Sequence, residues 1–218
     1  MLRLQALASL LLLSACAGAT EEPAYTVVAK DGAFELRQYP ALLAAETLVT
    51  GADFEDAGGI AFGRLFRYIS GNNRARAKIA MTAPVVQAAD GPAATGEKIA
   101  MTAPVIQQPD RQAGQPGDPA GGYRVAFLVP AGYTRETVPE PLDPAVHIVA
   151  TPARLVATLT YAGRATESLH RKNEGSLRAT LAERGLVATG DAIAAQYNAP
   201  FIPGPFRRNE VLIPVTVR

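Results

Sequence analysis

Apolar and polar positions along this chain alternate with two different periods, and the period-two stretches dominate. The clearest is an octapeptide, Lys-Ile-Ala-Met-Thr-Ala-Pro-Val, present as Lys78 to Val85 and again as Lys98 to Val105. Ile, Met, Ala and Val alternate with Lys, Ala, Thr and Pro, the pattern of a half-buried strand. Asp90-Gly91-Pro92 and Gly96 lie between the copies, so the spacing predicts a β-hairpin with two near-identical arms. Similar patterns predict strands over 25–29, 34–39 and 42–50, with Lys30-Asp31-Gly32 as a turn. Further strands are expected over 123–129, 147–150, 155–161, 193–197 and 211–217.

Two stretches follow the helical period instead. Asp53 can cap a helix, with Glu55 and Asp56 in its first turn, and Phe62, Leu65, Phe66 and Ile69 then form one apolar stripe. Gly58, Gly59 and Gly63 each weaken that helix by up to about 1 kcal/mol relative to Ala. They imply either close packing or room for a ligand. Gly71-Asn72-Asn73 should end it. A second helix is predicted over 166–184, with Leu169, Leu177 and Leu181 inward and Gly185 as its C′ residue. Pro109 to Gly122 lacks any period and reads as an exposed loop. The whole is an α+β domain, two helices against a mostly antiparallel sheet, with an internal pseudo-repeat.

Composition narrows the function. The 218 residues suit one domain, and 21 Lys plus Arg against 20 Asp plus Glu leave no basic face for nucleic acid. Metal-protease, nucleophile-elbow, Cys-x-x-Cys and phosphate-loop motifs are all missing from the sequence, and two histidines and one cysteine offer little for nucleophilic or zinc chemistry. The sequence therefore points to a binding protein more than an enzyme.

The N-terminus reads as an export signal. Arg3 precedes an apolar run from Leu4 to Leu13 that is too short to span a bilayer. Leu13-Ser14-Ala15-Cys16 resembles a bacterial lipobox, which implies cleavage before Cys16 and lipid on its sulfur. Ordinary cleavage after Ala17 also fits the small-x-small pattern. Cys16 is the only cysteine, with no disulfide to make in an exported protein, and that favours the lipid. The expected organisation is a signal peptide over 1–15, a tether over 16–24, and one domain over 25–217 with a loop at 109–122. Ala17 after Cys16 places the anchored domain at the periplasmic face of the outer membrane.

Four signatures occur in one order: Phe34-Glu35-Leu36-Arg37-Gln38-Tyr39, Arg64 to Asn73, the paired octapeptides, and Arg207-Arg208-Asn209-Glu210-Val211. Together they resemble the SOUL family of haem-binding proteins, over roughly Tyr25 to Val215. The resemblance implies a twisted, partly open antiparallel β-barrel flanked by two helices and built as a pseudo-duplicate. It also implies haem or another tetrapyrrole, bound in a shallow apolar cleft beside the first helix for buffering or transfer. By position, Arg67 is the basic helix residue near the propionates, with Phe62 and Phe66 as apolar neighbours. Gly59 departs from the pattern where a relative has arginine.

A tetrapyrrole is a flat apolar disc with two carboxylates, so it needs apolar walls and a cation at the mouth. Met81 and Met101 are assigned to the wall rather than to iron, and His147 and His170 are expected at the surface. That leaves haem without a strong axial ligand. Another small amphipathic ligand is the alternative, and a hydrolase on the same cavity a third reading, for which Glu35 or Glu46 would have to face the pocket. The Arg207-Arg208-Asn209-Glu210 turn is expected to be structural, with Glu210 paired to an arginine.

Overall fold

The computed structural model describes residues 20–75, 96–110 and 121–217. The first octapeptide with Met81, the lipobox with Cys16, and most of the Pro109–Gly122 stretch lie outside these residues.

The opening strands are β1 (Thr26–Asp31), β2 (Phe34–Tyr39) and β3 (Leu42–Val49), followed by helix α1 (Phe54–Ile69). Next come β4 (Asn73–Arg74), β5 (Val105–Asp110), β6 (Gly122–Leu128), β7 (Glu140–Pro141), β8 (Val146–Thr151) and β9 (Arg154–Ala162). Helix α2 (Glu167–Glu183) precedes β10 (Leu186–Ala188), β11 (Ile193–Gln196) and β12 (Arg208–Val217). A ten-stranded antiparallel sheet runs β1-β2-β9-β12-β11-β5-β6-β3-β8, with β10 added beside β12. It stays open between β1 and β8. A short β4–β7 pair stands apart.

That order is a palindrome about the β11–β5 contact. The unit β2-β3-α1-β5-β6 matches β8-β9-α2-β11-β12, as a pseudo-duplicate should. Each unit gives its first strand to the other: β2 pairs with β9, and β8 pairs with β3.

Residues directly opposite in neighbouring strands share a face, so the registers show both helices on one side. Val105 lies opposite Phe127 under α1, and Val211 opposite Ala194 under α2. On the helix-free side, Tyr39, Val156, Ile193, Ala195 and Leu212 are buried, with Leu42 and Ile106 packed onto them. The sheet therefore curls enough to bury its own inner face without closing.

The α1 cap and the glycines after both helices follow the predicted chemistry, and the structure adds Thr166 as the cap of α2. Asp53 accepts from the Asp56 N–H at 2.8 Å, and Thr166 caps α2 through the Leu169 N–H. Gly71 and Gly185 take positive φ after the two helices, as the left-handed position requires.

The structure corrects three expectations. The second octapeptide is not a strand throughout: Pro104 has no N–H for a ladder, and pairing starts only at Val105. Its burial does not alternate, since Met101 is exposed while Thr102 and Ala103 are buried. The face of α1 on the core is Phe54, Ala57, Ala61, Leu65, Tyr68 and Ile69, so the apolar stripe divides, with Phe66 outside. Ala57 and Ala61 let the helix approach Val125 and Phe127 more closely than a phenylalanine would. Finally, His170 is buried, not at the surface, with only 7% exposure.

Candidate functional site

The outer face of α1 carries an unusual set of residues for a surface helix. At 3.6 residues per turn, Gly59, Gly63 and Phe66 line up along it. Phe62 flanks one side, and Ile60 and Arg67 the other. Ile60 is 46% exposed and Phe66 48%, so the stripe offers apolar surface to solvent. The rings of Phe62 and Phe66 stack at 5.9 Å, and Phe62 meets Phe127 edge-on at 5.3 Å. Phe62 thus fastens the exposed Phe66 to the core.

The glycines divide into two kinds. A Cβ on Gly58 would lie 3.1 Å from the Gln107 Oε1, and the Gln107 Nε2 donates to the Phe54 carbonyl at 2.8 Å. Gly58 therefore permits close packing of α1 on β5. A Cβ on Gly59 or Gly63 would meet nothing within 4 Å. Those two leave a notch in the helix surface, at a cost of about 1 kcal/mol each relative to Ala.

The second octapeptide leads away from the end of this helix. Asn73 holds the junction: its Nδ2 donates to the Tyr68 carbonyl at 2.7 Å and the Glu97 carbonyl at 2.8 Å. Its Oδ1 accepts from the Glu97 N–H at 2.9 Å, and the Ile99 N–H then bonds the Ile69 carbonyl at 2.8 Å. Sequence reasoning took Asn73 only as a helix terminator. Its polar side chain inside an apolar neighbourhood was the available signal for more. Met101 lies two residues beyond Ile99, exposed rather than in the core.

Arg67 is exposed in the last turn of α1, and its guanidinium has no carboxylate partner among the described residues. Neither histidine lies on the stripe. His147, exposed on β8, stands opposite Glu46 on the helix-free side of the sheet. His170 on α2 stacks on Phe54 at 5.9 Å, and its Nδ1 has no hydrogen-bond partner among the described residues. Burial lowers its pKa, against the pull of Glu174 and Glu167, which favours the neutral ring.

A cavity of about 220 Å³ does lie beside His170, lined by Phe54, Gln107, Tyr123, Glu167 and Ala192. It is smaller than the roughly 300–1,000 Å³ of sites enclosing drug-sized ligands, and so too small for a porphyrin. The surface notch on α1 and this partly open cavity are separate places.

The other charged cluster lies on the helix-free face. Arg37 donates to Glu210 through Nη1 at 2.7 Å and Nη2 at 3.1 Å, and through Nε to Glu35 at 2.7 Å. Tyr197 Oη donates to Glu210 at 2.8 Å, and Arg208 adds a bond at 3.0 Å. Burial opposes the Glu210 charge, but the bonds from Arg37 and Tyr197 hold its carboxyl below the usual range. For Glu35, the Lys30 hydrogen bond is the largest cause of a lowered pKa. Every member has a partner, and Arg208, Asn209 and Glu210 begin β12 rather than forming a turn before it, with Glu210 paired to arginine as expected. Among the described residues, no group of three or more His, Cys, Asp or Glu could hold a metal ion.

A sequence model of the SOUL heme-binding protein family matches residues 20–93 and 89–214. The chain belongs to the SOUL family. It is 28% identical to heme-binding protein 1 of Xenopus tropicalis over 183 residues, covering 84% of both chains. Among solved structures, the EcmrR C-terminal domain superposes with a TM-score of 0.59 at 12% identity, covering 89% of this chain and 99% of that one. A hydrolase from Listeria innocua gives 0.51 at 10% identity, covering 87% of this chain and 94% of that one. At such identities these structures share the SOUL fold and carry no function across.

Proposed function

We propose that this SOUL protein binds haem, or a closely related tetrapyrrole, across the notch on the outer face of α1. The observation that carries this reading is the open space over Gly59 and Gly63 between Phe66 and Ile60. A flat ring can lie there against helix backbone, with Phe62 and Phe66 along one edge. Arg67, at the end of the same stripe, is placed to meet a propionate. Family membership and the name of the frog relative point to the same ligand.

The chemistry of this site is retention and release rather than catalysis. The chain has two histidines, and neither reaches the stripe, so haem held there receives no imidazole from this protein. A shallow site without that bond favours buffering or transfer over permanent storage. The apolar Leu4–Leu13 run and Cys16 support placing this activity at the cell envelope, with the domain lipid-anchored at the periplasmic face of the outer membrane.

Hemin titration of the purified protein tests the assignment. A saturable change in the Soret band at micromolar hemin is expected, and the Gly59→Leu variant should weaken it at least tenfold. No spectral change at micromolar excess would remove the haem assignment.

A further inference from the structure

Two phenylalanines on one loop are the most exposed large apolar side chains among the described residues. Phe201 is 84% exposed and Phe206 78%, both between β11 and β12 in Pro200-Phe201-Ile202-Pro203-Gly204-Pro205-Phe206. An apolar pair so exposed marks a surface meant to be covered.

The loop is held stiff. The Gly163 N–H bonds the Gly204 carbonyl at 3.1 Å, and the Phe206 N–H bonds the Pro203 carbonyl at 2.9 Å. Arg207 Nε donates to the Ile202 carbonyl at 2.6 Å, and its Nη2 to that of Pro200. Three prolines restrict what freedom remains. The phenylalanines are therefore presented at little entropic cost.

Two arginines, Arg164 and Arg207, lie against this loop. Arg207 spends its hydrogen bonds on backbone carbonyls, so its charge meets no carboxylate there. Arg164 is exposed, without a partner among the described residues, and its stem lies against Gly204, where a Cβ would sit 3.2 Å from its Cγ. Apolar rings beside arginines suit an anionic lipid surface, with rings among the acyl chains and guanidinium groups at the phosphates.

The N-terminal chain enters beside the same loop. Glu22 pairs with Arg208, the residue that ends it, at 3.1 Å. From Glu22 back to Cys16 is a reach of at most about 20 Å, even fully extended. Lipid on Cys16 would hold Glu22 within that distance of a bilayer, and attachment through the Leu4–Leu13 stretch within about 30 Å.

We propose that the Pro200–Phe206 loop docks on an anionic membrane surface, inserting Phe201 and Phe206 and orienting the domain. This builds on the envelope reading above but not on the haem site. The test uses the full chain with Cys16→Ser, which removes lipid attachment and the only native thiol. A nitrobenzoxadiazole label is placed on Phe206→Cys, and on Val187→Cys as a control. Val187 pairs with Thr216, at the far end of β12 from Arg208.

With vesicles of phosphatidylcholine and phosphatidylglycerol, the label at 206 should shift to the blue and be quenched by a lipid-borne quencher. The label at 187 should do neither. Phosphatidylcholine alone should give a several-fold weaker response. An unshifted label at 206 overturns the proposal, and if the chain still floats with vesicles, the N-terminal attachment reading survives separately. A shift that rises with protein concentration without lipid assigns the loop to a second copy and overturns it. A shift caused by hemin without vesicles makes the loop a wall of the haem site, and overturns it too.

Discussion

The two helices occupy equivalent places in a duplicated fold, yet their outer faces differ. On α1 that face is Gly59, Ile60, Gly63 and Phe66, apolar and notched. On α2 it carries Arg171, Lys172, Glu174 and Arg178, with Arg171–Glu167 at 2.6 Å and Arg178–Glu174 at 2.8 Å. Such i,i+4 pairs suit a solvated helix face. The Arg37–Glu210 network braces the inner side of the sheet around the second unit, where β2 is exchanged onto β9. One copy is sealed and braced; the other keeps an exposed apolar strip. Duplication supplied the frame twice, and among the described residues the two helices carry the exposed apolar strip on the first unit alone.

The largest effect should come from the braced half. Glu210→Ala leaves the buried Arg37 guanidinium with Glu35 as its one remaining carboxylate, and removing one partner of a buried ion pair costs up to about 3–5 kcal/mol. Urea unfolding should show that loss. Hemin affinity, measured where the variant remains folded, should be unchanged because α1 is untouched. A coupled loss of affinity would show that the two halves are not separable.

Next in size is a matched pair of glycine substitutions. Gly63 on α1 and Gly175 on α2 both have open space where a Cβ would go. Replacing either with Leu should raise stability by about 0.5–1 kcal/mol, since Gly disfavours a helix interior. Gly63→Leu fills the notch and should weaken hemin binding at least tenfold, or about 1.4 kcal/mol. Gly175→Leu should leave binding alone. Equal responses at the two positions would remove α1 as the site.

A third expectation concerns pH at the junction of the halves, where His170 of α2 stacks on Phe54 of α1. Its folded pKa lies below the ordinary 6.5, so the unfolded chain binds a proton that the folded protein refuses. Stability should therefore fall as pH drops from about 6.5 toward the depressed value. Glu210 and Glu35 are also depressed, from 4.5, and their contribution is lost lower still, as pH falls through their folded values. Thermal melts from pH 7 down to about pH 2 should show two steps, and His170→Phe should erase only the upper one.

Much of this frame could be read along the chain, because caps and turns are local. Asp53, Thr166, Gly71 and Gly185 mark helix ends by chemistry that neighbouring residues complete. Partnership could not be read so easily. A period-two pattern says that a strand is half-buried, not which strand it joins, so the exchange of β2 and β8 left no local trace. Glu210 and Arg37 lie 173 residues apart, and only the folded sheet makes them a pair. The rotation of α1 was hidden for another reason: Ala57 and Ala61 look weaker than Phe66 as core residues, yet their small size lets the helix approach. Phe66 was named for the site and also placed on the core stripe, and the structure puts it outside.

The smallest expected effect is at Arg67, and its size follows from its exposure. An ion pair in water is weak, a fraction of 1 kcal/mol up to about 1 kcal/mol, so Arg67→Ala should weaken hemin binding by about two- to fivefold. Arg67→Glu adds repulsion with a propionate and should weaken it further. Salt should narrow both differences, because an exposed pair is screened within about 10 Å at 0.1 M. The counterpart is Arg171→Glu on α2, which breaks its bond to Glu167 and should cost a little stability with no effect on hemin. Hemin titrations at low and high salt separate the outcomes. If Arg67→Glu and Arg171→Glu weaken binding equally, the effect is net charge alone, and Arg67 has no place at the notch.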